Sequence, residues 1–254
     1  MEIRPGIELA NLSDVGCERT ENEDYYCYAE PDGQEEFKKR GRLAVIADGM
    51  GGHEGGQVAS GLAVEVVRET YFSSASDDPQ EGLMEAFRSA HQAIQEWAGK
   101  HPELRGMGTT CTASVLREGQ LYYGHIGDSR LYLLRDSTIS RLTRDHSVVN
   151  RLLEQGLITP EEAAGHPERN ILTAALGANA EVAADFSETP LPLAPADLLL
   201  LCTDGLHGLV SDEELLAIAC ERPPRDACRA LVEMAKKRGG ADNITLQIIR
   251  IDAP

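Results

Sequence analysis

Apolar positions in this chain fall into two textures. Val58, Leu62, Val66 and Tyr71 recur at three- and four-residue spacing, which predicts a helix over 57–71. Leu83, Phe87, Ala90, Ile94 and Trp97 predict a second, which His101-Pro102 ends. SSASDDPQ between them carries loop and capping residues. Elsewhere the apolar runs are short and unbroken. LAVIAD at 43–48 reads as a compact buried strand. From Gly108 to Leu142, TTCTASVL, QLYYGHIG, SRLYLLR and TISRL are β-rich and separated by turn residues, as in an antiparallel meander. EVAADFSE, DLLLLCTD and the closing ADNITLQIIRI read as further strands, and 211–220 and 225–237 as helices.

Two stretches lack either texture. PDGQEEFKKRG at 31–41 reads as an exposed turn or hairpin tip. Residues 146–170 read as polar, flexible short helices and loops. Two helices follow the first strand block and two precede the last strand. That order predicts an α+β fold: an αββα sandwich of two packed antiparallel sheets flanked by helix pairs. With no repeat or linker, 254 residues fit one domain over 1–254.

Charge narrows the partners. Forty-two acidic residues against 24 basic ones give a net charge of −18, which argues against nucleic acid and anionic membrane surfaces. No apolar run approaches membrane-spanning length, and the first residues lack a hydrophobic signal core. The six cysteines form no CxxC pair or zinc framework. Reduced thiols in a cytoplasmic monomer are expected.

The candidate chemistry lies in the aspartates. Asp48 follows LAVIA, Asp204 follows LLLLCT, Asp242 precedes the last strand, and Asp128 sits in GDSR between two strands. Asp and Gly are turn formers, so each position alone fits a turn. Four carboxylates at the ends of apolar strands would instead repel one another in a shared cleft. Hard divalent cations with oxygen ligands remove that cost.

Eight motifs then occur in order: RTENED at 19–24, ADGMGGHEGG at 47–56, GMGTT at 106–110, GHIGDSRLY at 124–132, LTRDHS at 142–147, LTAALG at 172–177, CTDGL at 202–206 and ADNIT at 241–245. With them the chain resembles the metal-dependent protein phosphatases, the type 2C Ser/Thr family, in their compact bacterial form. The resemblance implies Mn²⁺ or Mg²⁺, two core ions and a third. It implies that Asp48 bridges two ions, that the Gly49 carbonyl binds one and that Asp204 and Asp242 bind the other. Asp128 with Asp204 would form the third site, Glu23 and Asp24 would hold metal-bound waters, and Arg19 would bind the substrate phosphate. Phosphorylated proteins would be the partners, a Ser/Thr kinase or its targets among them, with residues 146–170 a movable flap. A non-catalytic phosphopeptide-binding module and a small-molecule phosphate-ester hydrolase are the alternatives.

Other positions stay open. His53 is either the general acid to the leaving alkoxide or a histidine that orients the glycine loop. His146 reads as structural, and Thr109 and Thr110 as strand-packing residues. Arg130 is expected to orient carboxylates, and Asn243 to support ligand geometry. Ala174 stands where relatives usually have Arg, and Thr203 where Ser is usual. No cysteine precedes a phosphate-cradling loop that ends in Arg.

Overall fold

The computed structural model describes residues 3–51, 54–178 and 180–253. In chain order, β1 is Ile7–Asp14, β2 Asp24–Ala29, α1 Gln34–Arg40, β3 Arg42–Met50, α2 Glu54–Ser73 and α3 Pro79–Lys100. Then follow β4 Gly108–Thr109, β5 Cys111–Arg117, β6 Gln120–Ile126, β7 Arg130–Arg135 and β8 Thr138–Arg141. After these come α4 Val148–Glu154, α5 Pro160–Ala164, β9 Asp185–Phe186, β10 Leu191–Pro192 and β11 Leu198–Cys202. The chain closes with α6 Asp204–His207, α7 Asp212–Glu221, α8 Pro224–Lys237 and β12 Ile244–Ile251.

Among the described residues the strands form two antiparallel sheets. One runs β1-β12-β11-β7-β8; the other runs β10-β6-β5-β3-β2, with β4 beside β3 and β9 beside β6. Three apolar layers hold the stack. Leu43, Val45 and Ala47 of β3 face α2 and α3, where Val67, Leu83 and Phe87 meet them. Ala44 and Ile46, of opposite parity, face the other sheet and pack with Leu131, Leu199 and Leu201. On the far side Leu198, Leu200 and Cys202 meet α7 and α8 at Leu215, Leu231 and Val232. A strand covered on both faces needs apolar residues at every position, which is why LAVIA and LLLLC are unbroken runs. The αββα sandwich is therefore as expected.

Two segments differ from their sequence reading, and a third had no element assigned to it. Residues 34–40 form α1 rather than a hairpin tip, with Glu35 and Glu36 in the first turn and Lys38, Lys39 and Arg40 in the last. Those charges complement the helix dipole, a signal that the surrounding Pro, Asp and Gly obscured. EVAADFSE contributes only the two residues of β9, paired with Gly124 and His125 of β6. The stretch before Glu30 supplies two full strands; β1 pairs with β12 from Ile7↔Ile251 to Asp14↔Ile244.

Candidate functional site

The strand ends set out in sequence meet at one end of the sandwich. Asp48 closes β3 with the parity of Ala44 and Ile46, and so lies at the mouth of the gap between the sheets. Asp24 stands directly opposite it on β2. Asp204 opens α6 just after β11, Asp242 precedes β12, and Asp128 lies in the turn between β6 and β7. Arg19, Glu23, Asp48, Gly49, Asp128, Asp204 and Asp242 all line one cleft of about 480 Å³. Met50, Gly51, Thr110, Asn170, Ile171, Leu172 and Asn243 complete its wall. His53 lies outside the described residues.

Burial dominates the electrostatics, and crowding adds to it. Burial raises the Asp48 carboxyl well above its usual range, and Asp24, Asp204, Asp128 and Asp242 raise it further. Asp128 is raised well above its range by burial and then by Asp204 and Asp145. Burial and Asp242 raise Asp204, partly offset by hydrogen bonding with Asp48. Asp24 rises to about 7, mainly through burial. Asp204 Oδ1 and Asp24 Oδ1 are buried without a hydrogen-bond partner. Arg19 stands at the rim, its Nη2 2.8 Å from Asp242 Oδ2.

Neighbouring groups hold these carboxylates in place. Asn243 Oδ1 accepts from the Glu23 N–H at 2.8 Å, and its amide donates to the carbonyls of Val15 and Glu21. The Thr203 hydroxyl donates to Asp24 Oδ2 at 2.9 Å, so Thr serves where Ser is usual. Gly49 packs so tightly that a Cβ there would come within 2.1 Å of the Gly56 carbonyl oxygen. Arg130 is committed to Asp145, with Nη2 2.6 Å from Oδ2. His146 accepts from the Gly127 N–H at 3.2 Å and bonds Asp185 at 3.1 Å, an anchoring role. Ala174 is buried in the layer under α2 and α3.

Thr109 and Thr110 pair across strands with β3, as expected, and their hydroxyls also reach the backbone of Asp48. Thr110 Oγ1 accepts from the Asp48 N–H at 2.9 Å, and the Thr109 hydroxyl donates to the Asp48 carbonyl at 2.8 Å. His207 and Asp145 escaped the sequence reading altogether. His207 Nε2 donates to the Asp128 carbonyl at 2.9 Å, and burial pushes its imidazole down to about 3, so it is neutral. A histidine three residues after the Asp204 motif was the only available signal.

Among the described residues no three His, Cys, Asp or Glu side chains converge as a cage for a single ion. The oxygens are spread along the cleft, which suits ions that share ligands and complete their shells with carbonyls and water. A second cavity, about 240 Å³, lies at the opposite end of the sandwich around Arg42, Arg117 and Leu193. Aspartate and histidine are absent from its lining, so the carboxylate cleft is the candidate site.

A family model described as protein phosphatase 2C matches residues 32–244. The chain belongs to the protein phosphatase 2C family. It is 36% identical to the protein phosphatase PhpP of Streptococcus pneumoniae over 251 residues, 97% of this chain and 98% of that one. The crystal structure of the Mycobacterium tuberculosis serine/threonine phosphatase PstP/Ppp superposes with a TM-score of 0.86 at 35% identity, covering 98% of this chain and all of that one. The catalytic domain of the serine threonine protein phosphatase PstP in complex with two manganese ions gives a TM-score of 0.84 at 34% identity, covering 98% and 99%.

Proposed function

We propose that this protein hydrolyses phosphoserine and phosphothreonine in phosphorylated proteins, using divalent metal ions held in the carboxylate cleft. The observation that carries this reading is the cluster of Asp24, Asp48, Asp128, Asp204 and Asp242, in which burial and then mutual repulsion raise the carboxyl pKa values of Asp24, Asp48, Asp128 and Asp204. Cations offset that repulsion, and the orphaned oxygens of Asp204 and Asp24 fit an ion or its water as partner. The bound manganese of the solved relative supports the same assignment.

Asp48, the Gly49 carbonyl, Asp204 and Asp242 would hold two Mn²⁺ or Mg²⁺ ions. Asp128 and Asp204 would hold a third. When bound, the ions supply Lewis acidity that makes water a nucleophile near neutral pH and offsets phosphoryl charge. Glu23 and Asp24 would hold water there by accepting hydrogen bonds from it. Arg19 exchanges Asp242 for two phosphate oxygens, for which its planar fork is suited. His53 is the candidate proton donor to the departing side-chain oxygen. The flap at 146–170 supplies Asn170 to the cleft wall, followed by Ile171 and Leu172, and is where a protein substrate would rest.

No described helix is long and apolar enough to cross a membrane, and all six cysteines are free. A cytoplasmic monomer acting on a Ser/Thr kinase or its targets completes the reading, and the serine/threonine phosphatases among its relatives support phosphoproteins as the substrate class. Purified protein should release phosphate from a phosphothreonine peptide with Mn²⁺, and lose that activity on chelation. Asp204→Asn should lower turnover by 10²-fold or more, roughly the value of a charge-stabilising group in a reaction centre. Equal activity after chelation would overturn the reading.

A further inference from the structure

β3 pairs with β5 and then β4 in a single register, from Ile46↔Thr112 to Gly49↔Thr109. That register sets Asp48 opposite Thr110. A regular ladder has such a pair exchange two backbone hydrogen bonds. One is present: the Thr110 N–H donates to the Asp48 carbonyl at 2.9 Å. The return bond is taken by a side chain, with the Asp48 N–H donating to Thr110 Oγ1 at 2.9 Å. The same hydroxyl bonds Ser129 Oγ at 2.7 Å, the residue beside Asp128. Thr110 and Ser129 are 2% and 0% exposed, so water does not compete for these bonds.

The turn that carries Asp128 is seated on the same side chain. Gly127 has φ of +105°, and a Cβ there would come within 2.5 Å of Thr110 Cβ. One threonine therefore touches both the peptide of Asp48 and the turn of Asp128. Asp48 lies on β3, whereas Asp128 lies in the turn by which the chain leaves β6 of the same sheet for β7 of the other, so strand pairing alone does not set their separation.

We propose that Thr110 is a positioning residue that fixes the separation of Asp48 and Asp128 through Ser129, and so sets the spacing of neighbouring cations. The proposal rests on the metal-dependent reading above. Outer hydrogen bonds to a metal ligand are commonly worth 10–100-fold in affinity or activity.

The test is Mn²⁺ titration of the full chain by electron paramagnetic resonance, with melting temperature recorded alongside. Thr110→Val keeps the branched shape against Gly127 and removes both hydroxyl bonds. It should weaken Mn²⁺ binding by about 10-fold or more and lower kcat, with KM for a phosphothreonine peptide unchanged. Thr110→Ser should restore both. Ser129→Ala leaves the Asp48 bond intact and should weaken only the loosest class of bound Mn²⁺; it carries the test if Thr110→Val does not fold. Wild-type affinity in Thr110→Val, no rescue by Ser, or equal weakening of every ion by Ser129→Ala would each overturn the proposal. Wild-type protein that binds no Mn²⁺ would overturn the metal reading itself, and the relay with it.

Discussion

Asp24 and Asp48 face each other on neighbouring strands, an arrangement that costs stability when both are charged. Asp24 has its folded pKa raised to about 7, chiefly by burial. A carboxyl raised on folding favours the native state while protonated, so that contribution is lost as pH rises from its unfolded value near 4 towards 7. In chelator the melting temperature should therefore fall, by roughly 5 °C between about pH 5 and about pH 7. Mn²⁺ should flatten or reverse that slope, because cations replace protons on the same oxygens. A melting temperature that climbs with pH in chelator would contradict the crowding. The aspartates were legible in sequence because each follows or precedes an apolar strand. Of their supports, Asn243 and Arg130 were legible beside them, but His207 and the part played by Thr203 were not. His207 and Thr203 owe their roles to Asp128 and Asp24, 79 and 179 residues away in sequence.

Among elements, β3 shows most directly how sequence becomes site. Its alternate residues feed two different cores, and the parity that sends Ile46 between the sheets also sends Asp48 to their mouth. Ile46→Ala should cost about 2–5 kcal/mol and lower the melting temperature by roughly 5–15 °C. At low temperature its kcat should stay near wild type, since the cavity lies below the cleft; thermal melts and peptide turnover check both. Periodicity found β3, α2, α3 and β11 because burial on one or both faces leaves a clear pattern. It missed β1 and β2, which are largely half-buried and carry mixed residues. It missed α1 because seven residues give too few turns for a face to emerge.

At the scale of the whole molecule the two sheets share the layer containing Ile46, Leu131, Leu199 and Ile249. Neither sheet can expose its inner face without the other, so unfolding should be cooperative. Scanning calorimetry should show one transition, with calorimetric and van't Hoff enthalpies in agreement; two separate transitions would refute a single domain over 1–254. Residues that line the cleft span positions 19 to 243, so the cleft exists only when both sheets are complete.

β12 lies between β1 and β11 rather than at a sheet edge. A ribosome makes β1 early and β12 more than two hundred residues later. Throughout synthesis β1 waits without the neighbour it pairs with, and Asp242 arrives just ahead of that neighbour. The strand that closes the sheet thus also brings the last carboxylate, so no shorter nascent chain has either a finished core or a finished cleft.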